Sequence, residues 1–190
     1  MLARFFNAAP RRFASDRRGV AVVEFAIIAP LLIMIYLMMV EASQAIDTNK
    51  KLDRSAYMVA DLITQQSSIS RQDIDAVLTL GRNLLRPYDR SVAQISVAMY
   101  KKDGGSGKME WWNATDISHK PVAVDPSPPT SLADGDLYLK AAVDLRYKPI
   151  LTYNNSQDSL NLTNFNISMG STRVLVPRMD NTECADCTKN

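Results

Sequence analysis

The sequence predicts an α+β protein: a long N-terminal transmembrane helix extending into an extracytoplasmic stem, a second helix, then a small antiparallel β-sheet. Three observations carry this. Val20 to Val40 holds one charge, Glu24, in 21 residues. No Gly or Pro falls between Leu31 and Leu80, where apolar residues recur every three or four positions. From about residue 91 the period changes to two.

The apolar run is long enough, at roughly 31 Å as a helix, to cross a bilayer core. Of 22 basic side chains, Arg4, Arg11, Arg12, Arg17 and Arg18 precede it against Asp16 alone. The rest of the chain holds 17 basic and 19 acidic groups. This asymmetry places residues 1–19 in the cytoplasm as a basic leader and the C-terminal bulk outside. It also excludes a nucleic-acid surface, which needs its cations on the folded part. A cleavable secretory signal fits poorly, since its apolar region is overlong and carries a glutamate. A twin-arginine signal lacks the pattern that follows the arginine pair, and a plain anchor leaves Glu24 unexplained.

Residues 41–66 continue the helix as an amphipathic stem. Ala42, Ala45, Ile46, Leu52, Ala56, Val59, Leu62 and Ile63 lie on one side, with Glu41, Asp47, Lys50, Lys51, Arg54 and Asp61 on the other. From Val20 the whole helix would measure roughly 70 Å. The outer domain then spans 69–190. Ser70 is placed as N-cap of the second helix, with Asp73 in its first turn and Ile69 and Ile74 at hydrophobic-staple spacing. Ile74, Val77, Leu78, Gly81, Leu84 and Leu85 form its inner face, and Pro87 stops it.

Ala93, Ile95, Val97 and Met99 read as a strand. Lys101 to Gly107 reads as a flexible hairpin loop, returning through Met109 to Thr115, with one tryptophan of Trp111–Trp112 facing the core. Pro121 to Asp136 is irregular. Leu137 to Tyr147 alternates almost perfectly, and two weaker strands are expected at Phe165–Met169 and Thr172–Val176.

The composition leaves little chemistry. One histidine, His119, and two cysteines supply no metal centre, and seven glycines contain no phosphate-binding loop. No catalytic residues, metal ligands or cofactor are expected. Cys184-x-x-Cys187 lacks both a thioredoxin-like context and two further ligands; outside the cytoplasm it reads as a small disulfide loop or a bond to a partner. Asp134-Gly135-Asp136 reads as a turn. Asn113, Asn154, Asn161 and Asn166 begin N-x-[ST] triplets, which matter only in a eukaryotic secretory pathway.

Glu24 is the residue that bears on function. A carboxyl five positions into an apolar segment either snorkels to the interface or faces a partner. Its context is Arg17-Arg18-Gly19, four apolar residues (Val20 to Val23), Glu24-Phe25, then the apolar helix with Pro30. This arrangement resembles the type IV prepilin cleavage motif, and more closely the TadE and TadF pseudopilins (minor pilins) of the Tad (Flp) pilus system; the likeness covers residues 17 to about 65. The resemblance implies a pilus-assembly subunit, cut between Gly19 and Val20 by a prepilin peptidase. It implies contact with other pilin-like subunits through the N-terminal helix, with an inner-membrane assembly platform and with the lipid bilayer. The protein would be a single-pass bacterial inner-membrane protein, periplasmic at its C-terminus, and no enzyme.

The spacing has a physical sense of its own. A cut after Gly19 frees an ammonium one helical turn from Glu24. In staggered helices that ammonium meets the next subunit's carboxylate, and such a pair sets register more than it adds stability. Pro30 removes a donor and crowds the carbonyl of Ala26, which in a membrane helix means a kink or a local melting point. The alternative to a cleaved subunit is an uncleaved signal-anchored binding or sensor domain.

Overall fold

The computed structural model describes residues 19–88, 91–149, 166–179, 182–184 and 186–189. The leader with Arg17 and Arg18, and Asn154, Asn161 and Phe165, lie outside the described residues. The chain divides into two compact units, Met1–Ser43 and Gln44–Asn190. One continuous helix, α1 (Val20–Thr64), contributes to both. After it come β1 (Ser68–Ile69), α2 (Arg71–Asn83), β2 (Gln94–Asp103) and β3 (Ser106–Ala114). A 3₁₀ turn (Ile117–His119) and β4 (Val124–Asp125) then lead to β5 (Leu137–Tyr147), β6 (Ile167–Leu175), β7 (Glu183–Cys184) and β8 (Thr188–Lys189).

In the second unit α1 buries Thr48, Leu52, Ser55, Ala56, Val59, Ala60, Ile63 and Thr64. These recur at three- and four-residue spacing, so one stripe faces inward. With Ile74 and Leu78 of α2 they cover one face of an antiparallel sheet, meeting Ile95, Val97 and Met99 of β2, Trp111 of β3, and Leu139, Ala141, Val143 and Leu145 of β5. Strand order is β4-β3-β2-β5-β6, and β8 also pairs with β3. The α+β architecture is therefore as the periodicities predict.

Ser70 caps α2 in a full capping box, accepting from the Asp73 N–H while the Asp73 carboxylate accepts from the Ser70 N–H. The helix ends at Asn83, sooner than expected, and Leu85 reaches the core from the turn that follows. Close packing of α2 on α1 is made by Gly81. An added Cβ there would sit 2.6 Å from Val59 Cγ2, and the Gly81 carbonyl accepts from Ser55 Oγ at 2.8 Å.

Two expectations need correction. The hairpin loop is a two-residue turn, with strand pairing carried out to Asp103 and Ser106; Gly104 at φ +61° permits the tight reversal. The two weak C-terminal strands are one, β6, paired with β5 from Leu139–Leu175 to Tyr147–Ile167. Gly170 and Ser171, which broke the pattern in sequence, are held by the ladder against Asp144 and Val143. Asn113 is buried and donates to Asp75 at 2.8 Å, so its triplet is an internal contact and not a modification site.

The C-terminal tail is structural. Helix ends leave orphan carbonyls, and here the tail supplies a donor to the last of them, the Arg178 N–H to the Thr64 carbonyl (3.0 Å); just beyond α1, Thr182 Oγ1 donates to the Gln66 carbonyl (2.9 Å) and the Glu183 N–H to that of Ser67 (3.3 Å). Asp186 in turn accepts from the Arg71 N–H at the start of α2, and the Thr182 carbonyl accepts from Trp111 Nε1. Asp61 with Arg178, and Asp53 with Arg173, add ion pairs between α1 and the C-terminal residues, and Asp53 also accepts from Ser171 Oγ.

Candidate functional site

The residues singled out by the sequence lie together on the first turns of α1. Helix begins at Val20, and Glu24 follows one turn later on an exposed position beside Phe25, which is 68% exposed. From Val20 to Met39 every large apolar side chain is exposed, and none of the most apolar stretch is buried within the chain. Among the described residues this is the single helix long and apolar enough to cross a membrane, and it fits a single-pass anchor. An exposed apolar surface of this extent requires lipid or other helices around it.

A Cβ added at Gly19 would meet nothing within 4 Å. Packing among the described residues therefore gives no reason for a glycine at that position. Glu24 makes no ion pair among the described residues. Helix continues unbroken through Pro30, so the proline does not end the element. Its missing N–H leaves the Ala26 carbonyl without its helical donor.

The Gln44–Asn190 unit holds the remaining candidates. Cys184 and Cys187 are disulfide-bonded with Cα atoms 5.4 Å apart, which takes both sulfurs out of metal ligation beside Asp186. His119 sits on the exposed 3₁₀ turn, its Nδ1 3.0 Å from Ser118 Oγ. Gly135 adopts φ +99° and Asp136 accepts from the Ala133 N–H, so residues 134–136 form the expected turn.

A second, smaller core went unforeseen. On the other sheet face Ala98, Tyr100, Met109, Trp112 and Tyr138 are buried beneath the segment 114–132. Trp111 and Trp112 thus split between the two faces. Asp125 lies almost fully buried here, accepting from Tyr138 Oη (2.9 Å), Lys140 Nζ (3.1 Å) and the Ser127 N–H (3.3 Å). Gly107 makes room for the Tyr138 ring, whose hydroxyl would collide with any Cβ at that position. Burial pushes the Asp125 carboxyl up, but Lys140, Tyr138 and Ser127 together outweigh it and hold it below the ordinary range. Burial, with Asp125 adding to it, pushes Tyr100 up to about 12 and raises Tyr138 as well. This is a satisfied structural network. The one hint in sequence was Lys140 within the otherwise apolar run Leu137–Val143.

A depressed carboxyl stabilises the fold above its unfolded pKa and loses that contribution as pH falls through its folded one. Wild-type protein should therefore lose melting temperature below about pH 4, and Asp125→Asn should show a weaker dependence over that interval. Thermal scans between neutral and acid pH check this. Parallel curves for the two proteins would refute the assignment.

Among the described residues, one exposed apolar helix that fits a single-pass membrane anchor continues into a unit in which helices cover an antiparallel sheet. Residues 19–61, less than a quarter of the chain, are similar to the TadE-like protein family. The match takes in Gly19, Val20, Glu24, Phe25 and Pro30 and ends within the buried part of α1. Neither a curated protein nor a solved structure matches the chain.

Proposed function

We propose that the protein is a minor pilin (pseudopilin) subunit required to assemble a Tad pilus, structural and not catalytic. Its leader, residues 1–19, is cytoplasmic and is removed by a prepilin peptidase between Gly19 and Val20. Residues 20–40 cross the inner membrane, 41–66 form the stem, and the domain that follows is periplasmic. The mature α1 packs against other pilin-like subunits and is delivered through the inner-membrane assembly platform.

The observation that carries this is the juncture at Gly19. A glycine that nothing among the described residues requires stands directly before the helix, five positions ahead of Glu24, within the TadE-like match. An amide bond entering a peptidase cleft benefits from a residue with no Cβ. The basic leader supports the orientation.

Intact-mass analysis of protein extracted from membranes of a host with an active prepilin peptidase tests the reading. Wild type should begin at Val20, while Gly19→Asp should retain the leader, heavier by the 19 residues Met1–Gly19. Wild-type protein that still begins at Met1 would return the chain to an uncleaved anchored domain.

A further inference from the structure

Within the Met1–Ser43 unit, α1 leaves two hydrogen-bonding groups without partners. The first is an acceptor. Pro30 has no N–H to give, so the Ala26 carbonyl lacks its helical donor. The second is a donor. Tyr36 is the single residue between Glu24 and Glu41 whose side chain carries an O–H or N–H, it is 66% exposed, and its hydroxyl has no partner among the described residues. Glu24 and Glu41 bracket the apolar stretch, and midway between them lie Leu32 and Ile33. A helical tyrosine leans toward the N-terminus of its helix, so the Tyr36 phenol points back to that midpoint, away from the headgroups where an interfacial aromatic anchors. Neither group is left bare in hydrocarbon without cost. Nor can the two serve each other within one helix: ten residues separate them, roughly 15 Å along the axis, beyond the reach of one side chain.

The surface beside the acceptor is shaped to admit a side chain. From Phe25 to Met39 the residues smaller than leucine are Ala26, Ala29 and Pro30. They stand at i, i+3 and i+4, hence on one face, and form a shallow notch in an otherwise bulky helix. Small residues of this kind let a neighbouring helix approach the backbone. We infer that α1 associates with the α1 of a second copy by setting Tyr36 of one helix into the Ala26–Ala29–Pro30 notch of the other, where the phenol donates to the Ala26 carbonyl. The occupant is a second copy because this chain carries both halves of the match, a donor and an acceptor that nothing within it joins. One helix gives its donor and the other its acceptor. The two therefore lie parallel, one shifted along by roughly 10 Å, which is the ten-residue separation less the backward lean of the tyrosine. Each copy keeps one half free, so the contact is heterologous and repeats from copy to copy. On an ideal helix Tyr36 projects about 120° from Glu24, which makes this seam separate from the one that Glu24 would line. The inference rests on the reading of α1 as a membrane helix that packs against other subunits, and it names one contact in that packing; removal of the leader is a separate matter.

The full chain, placed in phosphatidylcholine vesicles and labelled with donor or acceptor dye at Gly105→Cys, tests it by energy transfer between copies. Tyr36→Phe removes the hydroxyl alone, while Pro30→Ala returns an N–H to the Ala26 carbonyl and keeps the notch small. Each should weaken self-association by roughly three- to twentyfold, the range that interhelical hydrogen bonds span in membranes. Both changes in one chain should cost no more than the larger single loss, because either alone already breaks the bond. Mixing is the sharper test. Tyr36→Phe copies keep the acceptor and Pro30→Ala copies keep the donor, so transfer between the two kinds should exceed transfer within either. Additive losses, or mixtures that associate no better than their components, overturn the proposal. Wild-type copies that float with the vesicles yet show no transfer reject a second copy as the occupant and leave the anchor intact. A chain that does not float with the vesicles overturns the anchor reading and this inference with it, and intact mass of the same sample reports cleavage independently.

Discussion

Gly81→Leu should lower the stability of the Gln44–Asn190 unit by about 3 kcal/mol or more, and Gly81→Ala should lower it by a smaller amount. Two effects oppose each other. Glycine inside α2 costs about 1 kcal/mol of helix propensity relative to alanine. Against that, the first carbon of any side chain there lies 2.6 Å from Val59 Cγ2 and 3.1 Å from both Ile95 Cδ1 and Ser55 Oγ. Val59 and Ile95 are fully buried, and a β-branched valine on a helix has essentially one χ1 to offer. A methyl must gain most of an ångström from Val59 Cγ2 before it reaches ordinary contact, which outweighs the propensity gain. Leucine must push α2 off α1, straining the Ser55–Gly81 hydrogen bond and opening the layer of Ile74 and Leu78; overpacking of this kind costs about 1–3 kcal/mol and sometimes more. Melting of the full chain in detergent, followed by circular dichroism, should fall by roughly 6–12 °C for Gly81→Leu. Gly105→Leu is the control, since a Cβ there meets nothing within 4 Å. Equal losses at the two glycines would show that the helix contact is not as tight as its geometry indicates.

That contact marks the division between what a reader of the sequence can and cannot reach. Periods of 3.6 and two are local, so α1, α2, β2 and β5 are legible from their own residues, as are the Ser70–Asp73 cap and the Gly19–Phe25 segment. Elements fixed by distant partners are not. β6 reads as two pieces because Gly170 and Ser171 interrupt its apolar pattern, yet β5 holds it straight. The tail reads as an appendage, though its donors complete the end of α1 and its Asp186 the start of α2, more than a hundred residues away in sequence. The satellite core depends on Asp125 meeting Lys140 and Tyr138, a match of burial and charge that no periodicity announces.

The same distinction separates the two parts of the functional reading. At the start of α1, nothing among the described residues explains Gly19 or Glu24: a Cβ at the first would meet nothing within 4 Å, and the second makes no ion pair. Residues whose reason lies outside their own fold are where interaction with other molecules is to be sought. The exposed apolar surface from Val20 to Met39 makes the same point over a larger area.

Glu24→Val should yield a protein that is inserted, processed and folded, yet absent from assembled pili. If the carboxylate only snorkels to the interface, removing a charge from an apolar helix is neutral or favours insertion. If it pairs with the Val20 ammonium of a neighbouring processed subunit, its loss strands that ammonium in a poorly solvated seam. Leaving one charge of a buried pair uncompensated costs about 3–5 kcal/mol, and less near the membrane surface. Even a reduced penalty, repeated at each subunit contact, is large against the energies that set register between apolar helices. Glu24→Gln keeps the shape and loses the charge, so it should resemble Glu24→Val. Glu24→Asp keeps the charge one methylene short of its partner and should be partly defective. Piliation and crosslinking to other pilin-like subunits are the measurements, with the mass of the mature chain recorded alongside so that failed cleavage is not mistaken for failed assembly. Normal pili and normal crosslinks in a correctly processed Glu24→Val strain would dispose of the pairing mechanism, because the charge would then have been removed from the seam at no cost.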